Sequence, residues 1–276
     1  MIIETILILL SITAAALLIG WAVVMLPQRK LEGVRYKKIK RLKNKNGVQM
    51  IAHRGLSGLY LENTIPAFEA AGKRSFYGIE TDVHVTKDVK FIVTHDDDLK
   101  RIAGLDLIIE DTDYETLRAL RFQDPYGGEN AVNAYLPSLN EYISICKRYD
   151  KQAVLELKNR MEPAQVVEIA KTIEEIGWLE RTTFISFSAE NLLALREKYP
   201  TADAQFLVEK ATEEELNFMI EHRLGGDLCW SSVRKRKVEK LHKAGLKVNC
   251  WTVDGVACAK LIARQGVDFI TSNIIE

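Results

Sequence analysis

GIETDVHVTKDVKFIVTH, residues 78–95, contains two runs rich in isoleucine and valine with a polar break between them. The runs Gly78–Val85 and Phe91–His95 are typical of β-strands, because β-branched side chains fit the pleated surface of a sheet. The break, Thr86–Lys90, is too short for the helix that joins two parallel strands. We therefore predict a hairpin here, or two neighbouring strands joined irregularly.

Residues 48–276 repeat this kind of run in alternation with amphipathic stretches, which is the pattern of β-α units around a parallel sheet. The pattern predicts nine strands: Val48–His53, Gly78–Val85, Phe91–His95, Ala153–Lys158, Thr182–Phe187, Ala204–Val208, Gly226–Cys229, Lys247–Thr252 and Val267–Thr271. Helix starts lie between them, with capping-box spacing at Ser138 and Glu141 and again at Thr212 and Glu215.

The length of this region approaches the ~250 residues of a (β/α)8 barrel. We therefore expect an α/β fold of the TIM-barrel type. Because nine strands exceed the eight places of the barrel, either one strand of the hairpin pair lies outside it or a late segment is not a strand.

Composition indicates a folded domain and argues against a nucleic-acid binder, a zinc site and a disulfide framework. The chain has 276 residues, of which 47% are hydrophobic and 28% are charged, as in globular domains. Its 38 basic and 38 acidic side chains give a net charge of zero, which argues against a nucleic-acid binder. The four cysteines show no CxxC spacing, so neither a zinc site nor a disulfide framework is indicated.

The net charge of zero conceals two segments of opposite sign. Residues 1–47 contain nine Lys or Arg against two Asp or Glu, whereas residues 48–276 contain 29 against 36. Thr5–Gln28 has no charged residue, and as a helix it would extend ~36 Å, enough to cross a hydrocarbon core of ~30 Å. A cleaved signal peptide carries its basic residues before the apolar run, but here they follow it. We therefore expect an uncleaved transmembrane anchor in residues 1–28.

The nine basic side chains between Arg29 and Lys45 predict how the anchor is oriented. The positive-inside rule places residues 29–47, a basic juxtamembrane linker, in the cytoplasm. We thus expect a single-pass cell-membrane protein whose domain, residues 48–276, is cytoplasmic. The linker would attract anionic lipid headgroups at ~1 kcal/mol per basic residue. A solvated linker helix is the plainer interpretation of the same charges.

Two predicted strands carry carboxylates in an arrangement that suits a metal ion. Glu80 and Asp82 are two residues apart, so both side chains face one side of their strand. Glu156 and Lys158 repeat this spacing on another strand, where the lysine could contact a phosphate. Carboxylate oxygens are the ligands that calcium and magnesium prefer. Structural ion pairs inside the barrel are the alternative interpretation.

Histidines end two of the predicted strands. His53 and His95 would lie at the carboxyl-terminal face, where barrels of this type build their active sites, and imidazole exchanges protons near neutral pH. A packed or hydrogen-bonded histidine is the alternative. His84, His222 and His242 have polar or charged neighbours, so we expect them at the surface or behind the site.

Taken in order, these segments resemble the glycerophosphodiester phosphodiesterase family, in the form of a membrane-anchored bacterial-type member. The matching segments are AHRG at 52–55, ENT at 62–64, GIETDVHVTKD at 78–88, IVTHDDDLKR at 92–101, LPSLNEYI at 136–143, LELK at 155–158, ISFS at 185–188, CWTVD at 250–254 and GVDFITSN at 266–273. The resemblance implies a (β/α)8 barrel that hydrolyses glycerophosphodiesters to glycerol 3-phosphate and an alcohol.

The resemblance also implies roles for individual residues. One divalent ion, calcium or magnesium, would be held by Glu80, Asp82 and Glu156. The acid/base pair would be His53 and His95. Phosphate and substrate contacts would come from Arg54, Lys158, Glu62 and Trp251. Which histidine is the acid, and whether water or the glycerol 2-hydroxyl attacks first, stays open.

Two other functions remain alternatives. A lysophospholipase D would use the same chemistry on a lysophospholipid at the membrane, and a membrane-tethered binding module would keep the barrel without turnover. The chain also departs from the usual family pattern at Leu61, Val89 and Ser272, where the family often has proline, glycine and aspartate. The stretch Phe122–Leu136 is either a loop over the site or a plain connector.

Overall fold

The computed structural model describes residues 36–43, 46–123 and 134–276. The predicted anchor, residues 5–28, and most of Phe122–Leu136 lie outside these ranges. Among the described residues, none of the helices has the length and apolar character that a membrane span needs.

The described residues form nine strands around a nearly closed barrel, which confirms the predicted TIM-barrel fold. The strands are β1 (Gln49–Ala52), β2 (Gly78–Val85), β3 (Phe91–Val93), β4 (Gln152–Leu157), β5 (Thr182–Ser186), β6 (Asp203–Val208), β7 (Gly225–Cys229), β8 (Val248–Trp251) and β9 (Phe269–Ser272). Eight of them follow one another in the order β8-β7-β6-β5-β4-β2-β1-β9, with parallel pairing at every step. Backbone bonds from Asp268 to Val248 and from Val253 to Thr271 draw β8 and β9 together.

Helices connect the strands on the outside of the barrel. They are α1 (Ile65–Gly72), α2 (Lys100–Ala103), α3 (Tyr114–Ala119), α4 (Leu139–Arg148), α5 (Pro163–Ile176), α6 (Ala189–Lys198), α7 (Glu213–Glu221), α8 (Lys235–Lys243) and α9 (Val256–Ala263). The predicted capping boxes at the starts of α4 and α7 are both formed. The main apolar core lies between the strands and these helices.

Strand β3 explains why the sequence contains nine strands for eight places. It pairs antiparallel with β2, in register Val83 to Val93, and does not join the ring. Beside it, Leu99, Ile109 and Leu117 form a separate small apolar cluster. The hairpin therefore carries the chain away from the barrel before α4 returns it to β4.

Part of the predicted linker lies against the barrel. Tyr36 donates its backbone N–H to the carbonyl oxygen of Gly58, in the loop after β1. Two backbone hydrogen bonds join this segment to Glu276. The N–H of Glu276 donates to the carbonyl oxygen of Lys40, and the N–H of Leu42 donates to the carbonyl oxygen of Glu276. The side chain of Leu42 is buried in the main core. Residues 36–42 thus start at the carboxyl-terminal face and run down the outside of the barrel.

The turn between β2 and β3 holds a β-branched residue in a left-handed conformation. Val89 has φ of 56° and is 58% exposed, and its N–H bonds to the carbonyl of Thr86. A Cβ atom costs roughly 1–2 kcal/mol in this region of φ, and branching adds to the crowding. Glycine, which the family often has here, avoids this cost.

We expect Val89→Gly to raise the free energy of unfolding by about 1 kcal/mol, because glycine enters the left-handed region freely. Chemical denaturation of both proteins measures the change. Val89→Ala is the matched control, since alanine removes the branch but keeps Cβ, and should stabilise less. A Val89→Gly protein no more stable than Val89→Ala would contradict this explanation.

Candidate functional site

Three buried carboxylates meet at the carboxyl-terminal end of the barrel. Glu80 and Asp82 lie on β2, and Glu156 lies on β4 directly beside Asp82 in the strand register. One oxygen from each carboxylate lies within 4.8 Å of the others. The two-residue spacing that the sequence shows is the reason, because alternate residues of a strand point to one side.

The pKa values of the three carboxylates are shifted in opposite directions. Burial and the charge of Asp82 raise the pKa of Glu80 well above its usual value. The same two causes raise the pKa of Glu156 to about 8, although Lys158 opposes them. Burial also works to raise the pKa of Asp82, but the charges of Arg54, His95 and Lys158 outweigh it and hold that pKa well below its usual range. The surroundings therefore favour the negative charge on Asp82 over a charge on Glu80 or Glu156.

Arg54 is positioned by a left-handed backbone conformation, with φ of 51°. This turn directs its N–H toward Glu80, whose Oε2 accepts the bond at 2.7 Å. Its guanidinium donates to Glu62 at 2.7 Å and brings Nε to 3.5 Å from Asp82 Oδ2. Burial raises the pKa of Glu62, but Arg54 and Arg101 together hold it well below its usual range. Glu62 thus orients the arginine.

Lys158 follows the last residue of β4 and lies between two of the carboxylates. Its Nζ is 2.9 Å from Glu156 Oε1 and 3.8 Å from Asp82 Oδ1. Burial lowers its pKa, but these two carboxylates more than compensate and raise it above the usual value. The ion pair that was the alternative interpretation of Glu156 and Lys158 is therefore present, and it lies at the carboxylate cluster.

His53 stands just past the end of β1, with its two ring nitrogens in different surroundings. Nδ1 is 2.8 Å from Oδ1 of Asn273, and Nε2 is 4.0 Å from Glu80 Oε2. Burial and the charge of Arg54 lower the pKa of His53 to about 3. The ring is therefore neutral at pH 7, and one of its nitrogens can accept a proton.

His95 lies across the same opening and has an acidic partner. Its Nδ1 is 2.7 Å from Asp96 Oδ1, and Asp96 is in turn bonded to Arg101. Arg101 also makes two bonds to Glu62, which joins the neighbourhoods of His95 and Arg54.

His84, expected at the surface or behind the site, is fully buried; its Nε2 lies 3.2 Å from the backbone oxygen of His95. The surface alternative for His84 was wrong, because β2 is buried along its whole length.

Both histidines, Glu80 and Glu156 line a cavity of about 90 Å³. An apolar wall faces them, formed by Ile185, Phe187, Leu207 and Trp251. Trp251 and Phe187 meet edge to face with ring centroids 5.6 Å apart, and Phe187 is 48% exposed. The cavity thus has a charged part and a mostly apolar part, and Asp227 lines the cavity from β7, between the strands of Leu207 and Trp251.

All nine residues singled out in the sequence gather at this one end of the barrel. Four further side chains take part that sequence reasoning did not single out: Asn63, Asp96, Arg101 and Asn273. Asn63 donates to Asp82 at 2.8 Å and accepts from Thr81, so it fixes the carboxylate from behind. Each of the four lies inside a quoted motif, which was the available signal. Asn63, Arg101 and Asn273 have partners 19, 39 and 220 positions away in the chain, whereas Asp96 bonds to the adjacent His95.

The arrangement combines a carboxylate cluster, two cations and two histidines around a small opening. Carboxylates can hold a divalent ion, Arg54 and Lys158 can neutralise an anion, and the histidines can exchange protons. This combination suits the cleavage of a phosphate ester.

Comparisons with known proteins agree with that chemistry. A glycerophosphodiester phosphodiesterase of Caldanaerobacter subterraneus subsp. tengcongensis is 27% identical over 231 residues, which cover 81% of this chain and 93% of that protein. A phosphodiesterase of Oleispira antarctica, solved in complex with the product sn-glycerol-3-phosphate, has 25% sequence identity and a TM-score of 0.76 and covers 82% of this chain and 93% of its own.

A shorter similarity reaches a human lysophospholipase D, which is 45% identical over 64 residues, or 23% of this chain and 20% of that protein. The model of the glycerophosphoryl diester phosphodiesterase family matches residues 53–276. The chain therefore belongs to the glycerophosphoryl diester phosphodiesterase family.

Proposed function

We propose that this protein hydrolyses glycerophosphodiesters to sn-glycerol 3-phosphate and an alcohol with the help of one divalent ion, calcium or magnesium. The observation that carries the proposal is the buried carboxylate cluster with a histidine on either side of it and two cations beside it. The Oleispira phosphodiesterase, with its bound sn-glycerol-3-phosphate, supports the choice of product.

The donor set of the cluster fits a hard divalent ion. Glu80, Asp82 and Glu156 offer only oxygen, and Oδ1 of Asp82 is buried without a hydrogen-bond partner among the described residues. A buried carboxylate oxygen without a partner is costly, and an ion would satisfy it. The three carboxylates would hold the ion, which supplies charge neutralisation and Lewis acidity to the phosphate when bound.

Arg54 and Lys158 would bind the phosphate oxygens beside the carboxylates. Nε of Arg54 is buried and makes no hydrogen bond within the described residues, so it is available as a donor. Glu62 fixes the other side of the guanidinium, which keeps the donors aimed at one place. Lys158 adds a point charge that is already held close to Glu156.

The two histidines would divide the proton transfers between them. Each has its Nδ1 engaged, by Asn273 in one case and by Asp96 in the other. One imidazole takes the proton of the attacking oxygen, and the other gives a proton to the alkoxide that leaves. On the apolar side, Trp251 and Phe187 would contact the carbon skeleton of the glycerol.

A second candidate, lysophospholipase D activity, is favoured by the position of the linker. Tyr36 lies beside Gly58 and Asp254, in loops at the carboxyl-terminal ends of β1 and β8, which is the face where the cavity opens. If residues 5–28 anchor the chain as we propose, the seven residues 29–35 reach at most ~25 Å. The cavity would then face the membrane at short range, with the domain in the cytoplasm and the linker near anionic headgroups.

The two histidines give the most direct test of the proposed chemistry. We expect His53→Ala and His95→Ala each to lower turnover of glycerophosphodiesters by about 10²-fold or more, because each removes one proton transfer. The assay follows sn-glycerol 3-phosphate release from a panel of glycerophosphodiesters and lysophospholipids, with calcium, magnesium or chelator. His242→Ala, at an exposed histidine bonded to Asp268, is the control. Near-normal activity in either variant would remove that residue from the mechanism, and no metal-dependent release would favour the binding module.

Ion binding should strengthen as the pH rises. Because the pKa of Glu156 is raised to about 8, this carboxyl is protonated at pH 6 to 7 and must lose its proton to an ion. We expect calcium or magnesium affinity to increase as the pH rises toward 8, by up to about tenfold per pH unit for each carboxyl that must lose its proton, namely Glu156 and, because its pKa is also raised, Glu80. Calorimetry of the full chain in buffers of different ionisation enthalpy measures both the affinity and the proton released. Glu156→Gln should make the ion affinity depend less on pH. An ion affinity independent of pH in the unaltered protein would refute this prediction.

The orientation of the proposed anchor can be tested separately. We expect protease to spare residues 48–276 in intact cells and to degrade them in inverted membrane vesicles, because the basic linker holds that side in the cytoplasm. A C-terminal epitope read by immunoblot distinguishes the two results. Degradation in intact cells would overturn the cytoplasmic assignment.

A further inference from the structure

Asn273 connects His53 to Asp254, a carboxylate to which no catalytic role has been assigned. Asp254 follows β8, and Asn273 follows β9. The amide Nδ2 of Asn273 donates to Asp254 Oδ2 at 2.7 Å, and its backbone N–H donates to Asp254 Oδ1 at 2.8 Å. Ser272 adds a third bond to the same carboxylate.

These bonds determine which way the Asn273 amide points. An ionised carboxylate only accepts hydrogen bonds, so the NH2 group must face Asp254 and the oxygen must face the other way. Oδ1 accordingly accepts a bond from Ser57 Oγ at 2.6 Å and lies 2.8 Å from Nδ1 of His53.

The direction of the amide in turn determines where His53 carries its proton. Because Oδ1 of Asn273 can only accept, Nδ1 of His53 must be the protonated nitrogen of the neutral ring. Nε2 is then left with its lone pair, and it is Nε2 that faces the carboxylate cluster, 4.0 Å from Glu80.

The linker segment supports Asp254 from outside the barrel. Tyr36 brings its hydroxyl to 3.3 Å from Asp254 Oδ2, and Lys40 donates from Nζ to the backbone oxygen of Asp254 at 3.0 Å. Nζ of Lys40 also lies 4.2 Å from the centre of the Tyr36 ring, which ties the two side chains together. Three hydrogen bonds, through the Asp254 carboxylate and the Asn273 amide, therefore connect Tyr36 to His53.

We propose that Asp254 and Asn273 are positioning residues that hold His53 in the tautomer protonated at Nδ1, and that Tyr36 couples the linker segment to this tautomer through Asp254. The inference rests on the proposed function only in treating His53 as a group that exchanges protons. It deepens that function by giving the linker a role in the active site.

The experiment reads the tautomer and the activity independently. The full chain is prepared with 15N-labelled histidine and saturating magnesium at pH 7.5, and NMR correlates the ring nitrogens with the ring carbon-bound protons. His53→Ala identifies the His53 signals. We expect a protonated Nδ1 and an unprotonated Nε2 in the unaltered protein. A protonated Nε2 would overturn the proposal, whether or not the enzyme hydrolyses glycerophosphodiesters.

Substitutions then test each link. We expect Asn273→Ala to move protonation toward Nε2 and to lower kcat about tenfold or more with KM changed less than about twofold. Asp254→Asn should give a mixture of tautomers, because an amide can donate to Asn273 Oδ1 and allow it to turn. A loss of kcat in either variant with the tautomer unchanged would make the residue merely structural and overturn the proposal.

Tyr36→Phe is the mildest of these substitutions. It removes the hydroxyl that contacts Asp254 and keeps the ring that contacts Lys40. We expect kcat to fall about two- to fivefold with KM unchanged and the His53 signals to shift toward the mixed state. Tyr199→Phe removes another hydrogen bond from a tyrosine hydroxyl to a carboxylate, the exposed bond to Glu174, and serves as the matched control. Equal effects of the two substitutions, or unaltered His53 signals in Tyr36→Phe, would refute the coupling.

Discussion

The placement of three carboxylates side by side in a buried position governs the rest of the site. Glu80, Asp82 and Glu156 repel one another and each loses its contact with water, so the fold must supply compensating positive charge. Arg54 and Lys158 supply it within the protein, and their positions follow from that need. The site is in this sense built around an unfavourable arrangement that the charges of Arg54 and Lys158 offset.

The surrounding polar residues can be understood as fixing the parts of this arrangement. Asn63 holds Asp82 from behind, and Glu62 and Arg101 hold Arg54 and Asp96 in one continuous network. Such a network costs side-chain entropy when the protein folds, not when substrate binds, which is the physical meaning of a preorganised site. The rigid barrel makes it possible, because the carboxylates lie on strands, and Glu62, Asn63 and Arg101 lie in the connections that follow β1 and β3.

Much of the fold could be predicted from the sequence, since strands and caps are local patterns. The two-residue spacing of Glu80 and Asp82 was enough to place both on one side of β2, and the short break after Val85 was enough to indicate the hairpin. Asn273 and Asp254 could not be assigned in this way, because their importance lies in contacts with His53 and Tyr36 that are 220 and 218 positions away in the chain. The left-handed conformation of Val89 could not be predicted either, because it depends on the whole turn, in which the N–H of Val89 bonds to Thr86.

The pairing of residues 40–42 with Glu276 has a consequence for the order in which the protein assembles during translation. Arg41 and its partner Glu276 are separated by 235 positions, so at a synthesis rate of about 5–20 residues per second the early segment waits roughly 10–50 seconds for its partner. Carboxylates from β2 and β4 can meet before that, whereas Asn273 is made 117 positions after Glu156. A nascent chain could therefore collect its acidic cluster well before the amide that orders His53 is available.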